Sequence, residues 1–431
     1  MPFLYSLMLA ALILLSYLCS FLLFGTIPLP NIHHTGDLFM DFWNIVYQAE
    51  LGQPYSDGSF YHPLSFLILG SIDFVLSTNA VSLRYYNSHI TVLLICIILF
   101  CSAINYFALA GKKFSPSTIF VCFLSAPFLF LISRLNLILF VYLLVTLYFS
   151  VRTRESHLLV SGIVWPFAAI LKPYLVLFPF FNSKNLRQVN LVLCVLGAVS
   201  LFSIVVYNFP LLNHSNTKAL SVTGYIANLF TFAIGNPLTV YEKLALNYSP
   251  FVYSVLVKKL SFVSPSIPLI YLNDLITLTN LLAVGFFLGV CAKVLRNYSE
   301  RESFLLFILS LATIFPNIGG YVMVLSIPLL NELRGFLKST FVPIAALMYC
   351  PVDFTLVFAD SLIYSNPIWP EAGDLNGMGS SQTGKVMPAL VQNGILRRDL
   401  SLLGLVRPLA LVAFWYVFFK NVRIRHENCV G

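Results

Sequence analysis

Along most of its length the chain alternates long apolar runs with short polar turns, the pattern of a helical bundle whose elements are buried on nearly every face. The opening run, MPFLYSLMLAALILLSYLCSFLLF, carries neither a basic leading region nor a small-residue cleavage site, so a retained first span is predicted. Further spans are predicted near 88–110, 116–133, 136–150, 189–207, 268–291, 303–316, 320–332, 339–363 and 400–419. Segment 157–183 is long enough for two short helices, with the break predicted at Lys172-Pro173. Segment 61–76 contains Pro63 and Asp73 and is predicted to re-enter or lie in plane rather than cross. Segment 208–265 reads as loops and interfacial helices, and 364–398 as a loop rich in Gly, Ser and Asn.

The polar segment after the first run breaks this pattern most sharply. In GDLFMDFWNIVYQAELGQPYSDGSFYHPL, Leu38, Phe42, Ile45 and Ala49 recur at helical spacing. Asp37, Asp41, Asn44 and Gln48 form a polar row beside them, which predicts a short amphipathic helix lying in an interface. Asp37 follows Thr35-Gly36 and suits a helix N-cap, leaving Asp41 as the acid presented to a cavity.

Composition turns this pattern into a class. The 431 residues are 58% hydrophobic and 10% charged, with mean hydropathy +0.86, whereas a soluble domain carries about 25% charged residues. An all-α polytopic membrane protein is the expected fold class. The net charge of +8 forms no basic face or arginine-rich run, so nucleic acid is not an expected partner. The cations instead gather in short turns: Lys112 with Lys113, Arg152 with Arg154, Lys184 with Arg187, the stretch 293–301, Arg334 with Lys338, and the tail from Lys420. Placing these turns in the cytoplasm puts both ends of the chain inside and gives about twelve spans. Asp41, Arg134, Lys172 and the turn 316–321 then fall together on the extracytoplasmic side. The eight cysteines are scattered and form no CxxC pair, and His33-His34 has no matching ligand cluster, so no metal site is expected.

Several short motifs, in this order, resemble glycosyltransferase family 87 of the membrane-embedded GT-C class. They are Asp41-Phe42, Ala49, Gly52-Gln53-Pro54-Tyr55 and Tyr61-His62-Pro63-Leu64 in the first polar segment. A second block runs from Leu135-Asn136-Leu137 through the basic turn Arg152–Arg154 and Ser161-Gly162 to Leu171-Lys172-Pro173-Tyr174. A third, weaker match is Phe315-Pro316-Asn317 to Tyr321. Two positions depart from the family pattern: Arg134 stands where glutamine is common, and Gly320-Tyr321 where a histidine is usual.

The resemblance implies a single membrane domain over 1–431, with a GT-C-like core at 1–185, a catalytic loop at 26–62 and a divergent half at 186–431. It implies an inverting hexosyl- or pentosyltransferase taking one sugar from a polyprenyl-phosphate donor. The acceptor would be a cell-envelope glycan or glycolipid, outside a bacterial cytoplasmic (inner) membrane, and membrane lipids are the surroundings. Mannose and arabinofuranose donors are used by relatives of this class. Asp41 is the expected base, while Lys172 and Arg134, with Asp37, Tyr61, His62 and Tyr321, are expected to bind phosphate or substrate. Arg84 reads as an interface anchor, and Glu242 and Asp274 receive no role. The donor is itself the substrate, so neither a further cofactor nor a divalent metal is called for. No GxGxxG, P-loop, HExxH, GxSxG or clear DxD motif points to a nucleotide-sugar donor or another chemistry. The alternatives are a transporter or flippase for a lipid-linked sugar, although no internal repeat is visible, and a noncatalytic scaffolding subunit.

Overall fold

The computed structural model describes residues 12, 15, 19, 45, 61–66, 124–134, 136–151, 157–182, 186–207, 248–250, 278, 282, 285–290, 295–314, 319–350, 355–356 and 400–430. Among them the architecture is helical: α1 (Ala126–Arg134), α2 (Ile138–Val151), α3 (His157–Leu171), α4 (Leu177–Asn182), α5 (Leu186–Tyr207), α6 (Glu300–Ile314), α7 (Gly319–Val322), α8 (Leu330–Leu337), α9 (Phe341–Tyr349) and α10 (Leu402–Val430). The exception is a two-residue antiparallel pairing of β1 (Thr355–Leu356) with β2 (Leu400–Ser401). Among the described residues no helix is both long and apolar enough to cross a membrane.

Local signals explain several helix ends. Asn136 begins α2 by accepting the Ile138 N–H on Oδ1 at 3.1 Å. Ser299 and Glu302 form a reciprocal cap at the start of α6: the Ser299 N–H donates to Glu302 Oε2 at 3.0 Å, and the Glu302 N–H donates to Ser299 Oγ at 3.4 Å. The predicted break in 157–183 is present, with α3 ending at Leu171, a 3-10 turn over Pro173–Val176, and α4 following.

Three predicted spans differ. The one expected at 320–332 is α7, a 3-10 stretch over Met323–Leu329 containing Pro328, and then α8. Pro328 removes an N–H donor from the helical ladder and disfavours regular α geometry before it. The span expected at 339–363 ends at Tyr349, because Cys350 precedes Pro351 and is extended at φ −54°, ψ 123°. The last helix, expected to stop at 419, continues to Val430 through the basic tail.

Helix α6 is the centre of the packing. Every residue from 303 to 314 except Thr313 is buried, as an element apolar on all faces must be. Its Ser303 and Ser310 hydroxyls donate to the Leu295 and Phe307 carbonyls, so neither polar group is stranded. Trp165 of α3 is fully enclosed among Tyr148 at 5.3 Å, Phe178 at 4.9 Å and Phe304 at 5.4 Å, which locks α2, α3 and α4 onto α6. Helices α3 and α5 touch at Gly162, where a Cβ would lie 2.5 Å from Leu191 Cδ2; only a glycine lets them come this close without Leu191 moving.

The two ends of this bundle differ in character. Only residues 135–137 separate α1 from α2 and only 152–156 separate α2 from α3, connections so short that α1/α2 and α2/α3 are antiparallel neighbours. Arg134, Asn136 and Lys172 therefore share one end. At the other, Arg301 donates to the Phe149 carbonyl at 2.8 Å and pairs with Glu332 at 3.6 Å, while the Tyr148 hydroxyl donates to Glu300.

Candidate functional site

Lys172 is the central residue. The proline that follows forces it out of the helix into an extended conformation, φ −143° and ψ 95°, while its N–H still bonds the Ala168 carbonyl at 2.8 Å. Its side chain is turned inward: the residue is only 5% exposed, and its ammonium lies 5.0 Å from the centre of the Tyr61 ring. A buried lysine is expensive unless its charge meets partners, and an aromatic face is one such partner, worth about 2 kcal/mol when desolvated. Tyr61 in turn neighbours Tyr174, two residues after Lys172.

His62, adjacent to Tyr61 in sequence, is 4% exposed, and both of its ring nitrogens are engaged. Nδ1 accepts the Leu64 N–H at 3.1 Å, and Nε2 lies 2.9 Å from Ser200 Oγ on α5. The Ser200 hydroxyl donates to the Leu196 carbonyl at 2.7 Å, so the Ser200 oxygen acts as acceptor and Nε2 must carry the proton. This fixes the neutral Nε2–H tautomer. Burial pushes the imidazole down from 6.5 to about 4. The expectation that His62 bonds a substrate thus meets a ring whose nitrogens hold protein groups instead.

Tyr321 is buried, and its ring packs 4.8 Å from that of Phe130, one turn before Arg134 on α1. It stands at the same end of the bundle as Lys172. The backbone of Arg134 closes α1 there. Asp37 and Asp41 lie outside the described residues, as do Arg84, Glu242 and Asp274. Ile45, from the apolar row predicted beside Asp41, is helical and 1% exposed within the main core. Lys172 and Tyr61 are thus in contact, with His62 next to Tyr61 in the chain and the end of α1 and Tyr321 toward the same pole.

Sequence reasoning passed over two polar residues. Ser200 sits inside a run read as purely apolar, and nothing local marks it. Arg407, fully buried in α10, donates from Nη2 to the Cys350 carbonyl at 3.2 Å, and the Tyr248 hydroxyl donates to Met348. Both cap the C-terminal end of α9, where unpaired carbonyls collect and a cation is favoured. An ionisable residue within an apolar run was the signal for Arg407.

The chain matches no family model, no curated protein and no solved structure.

Proposed function

We propose that this chain is a membrane-embedded, inverting glycosyltransferase of the GT-C type, moving one sugar from a polyprenyl monophosphate to an acceptor hydroxyl on the extracytoplasmic face. The observation that carries the reading is the meeting of Lys172 with Tyr61. These residues belong to separate motif blocks of the family 87 resemblance, and they come into contact at a buried ammonium.

Membrane residence is supported by the outward faces. On α5 the exposed residues Leu193, Cys194, Gly197, Ala198, Leu201 and Phe202 recur at three- and four-residue spacing, and the stripe turns polar only at Asn190, near the start of the helix. A face of that kind fits lipid rather than water. The charge pattern supports an extracytoplasmic position for Lys172 and the end of α1.

In the proposed reaction Asp41 takes the proton from the acceptor hydroxyl. That oxygen attacks the anomeric carbon as the bond from this carbon to the phosphate oxygen breaks, which inverts the centre. The departing polyprenyl phosphate gains negative charge, which Lys172 and Arg134 stabilise in this reading. Tyr61 holds the Lys172 ammonium in position.

The test is transfer from radiolabelled polyprenyl-phosphate sugars into envelope acceptors, using purified protein in nanodiscs. Wild type should transfer, and Asp41→Asn should be slower by roughly 100-fold or more with its folding intact, the range of general-base catalysis. Equal rates would remove Asp41 from the reaction. If wild type transfers from no donor, the glycosyltransferase reading fails, and substrate counterflow in liposomes would then favour a lipid-linked sugar transporter.

A further inference from the structure

The contacts around His62 form a continuous chain from segment 61–66 to α5, beside the proposed phosphate site. The Leu64 N–H donates to Nδ1, Nε2–H donates to Ser200 Oγ, and the Ser200 hydroxyl donates to the Leu196 carbonyl. The turn is closed again by the Ser65 N–H on the His62 carbonyl at 2.8 Å. This chain ties the short segment 61–66 to the middle of α5, while the residue just before His62 covers the Lys172 ammonium.

We propose that His62 and Ser200 are positioning residues: they latch segment 61–66 to α5 and so hold Tyr61 over Lys172, which orders the ammonium for a lipid-borne monophosphate. The binding role rests on the glycosyltransferase reading above; the latch itself does not. Three features support it. Both ring nitrogens are committed, so the imidazole has a fixed tautomer and orientation. Ser200 lies on a different element from the site, so the bond fixes a distance between elements rather than within one. Pro63 disfavours helical backbone at His62, which leaves the latch less conformational freedom to lose.

The experiment uses the full chain in nanodiscs, as wild type, Ser200→Ala, Ser200→Thr and Lys172→Gln. Two quantities are read: amide exchange of the peptide covering 61–66, and binding of a polyprenyl monophosphate doped into the bilayer, with the uncharged polyprenol as control. In Ser200→Ala, exchange of 61–66 should rise about 10-fold while peptides of α6 keep wild-type exchange, and monophosphate affinity should fall about 10-fold. Ser200→Thr keeps a hydroxyl and should restore both. Lys172→Gln should abolish the preference for the monophosphate over polyprenol without loosening 61–66. Unchanged exchange of 61–66 in Ser200→Ala overturns the latch, as does a rise spread equally over α6. Loosened exchange with unchanged affinity overturns its role in ordering Lys172. If wild type shows no preference for the monophosphate, the functional reading fails, and the exchange measurement alone upholds or overturns the latch.

Discussion

Acidification should destabilise this fold through His62. Its imidazole is almost fully enclosed, with Nδ1 accepting the Leu64 N–H and Nε2–H directed at Ser200. A second proton would have to sit on Nδ1, where it would face another donor in a site poor in water. The unfolded ring binds that proton near pH 6.5 and the folded ring only near about 4, so between those values the unfolded state holds more protons. Stability is therefore complete above pH 6.5 and is lost as the pH falls through this window. The linkage amounts to about 2 kcal/mol at roughly pH 5 and about 3 kcal/mol near pH 4. The assay is denaturant unfolding in detergent at about pH 7.5 and about pH 5, with wild type beside His62→Gln, which has no titrating ring. Wild type should lose about 2 kcal/mol more than the variant between the two conditions. Identical losses would show that the folded ring protonates as readily as the unfolded one, refuting the buried, neutral tautomer.

Other substitutions test the packing. Gly162→Ala drives a Cβ to within 2.5 Å of Leu191 Cδ2 and should lower unfolding stability. The loss should be about 1–2 kcal/mol, recovered in part by Leu191→Ala, because overpacking is relieved when the opposing side chain shrinks. Arg407→Met removes the charged donor from the Cys350 carbonyl and should lower the melting temperature at a cost of about 2 kcal/mol. A melting temperature equal to wild type would mean that water reaches that carbonyl.

What the sequence determined by itself was the alternation of helices and turns and several of their ends. Helical burial has a local signature, and so do breaks: Lys172-Pro173 split 157–183 because proline disfavours α geometry at the residue before it, although α3 and α10 carry Pro166 and Pro408 inside them. The Ser299–Glu302 cap needed only neighbouring residues as well. The same rule was applied too weakly at Pro328, where the helix tightens to 3-10 geometry, and before Pro351, where α9 has already ended. Lys172 could be singled out because a charge in an apolar run must meet something, but the sequence could not say what it meets.

Only the tertiary structure decided that Tyr61 covers Lys172, that His62 turns its nitrogens to Leu64 and Ser200, and that Arg407 caps a helix from across the bundle. Ser200 is the clearest case. A serine in a helix can satisfy its own hydroxyl on the carbonyl four residues back, as Ser203 does with Val199, so its presence carries no message. Ser200 makes the same bond to Leu196 and also accepts from His62, and that second bond exists only because α5 packs beside segment 61–66. Periodicity and capping depend on residues a few positions apart and survive in a linear reading. Contacts between distant elements depend on which helix faces lie together, which packing across the bundle decides.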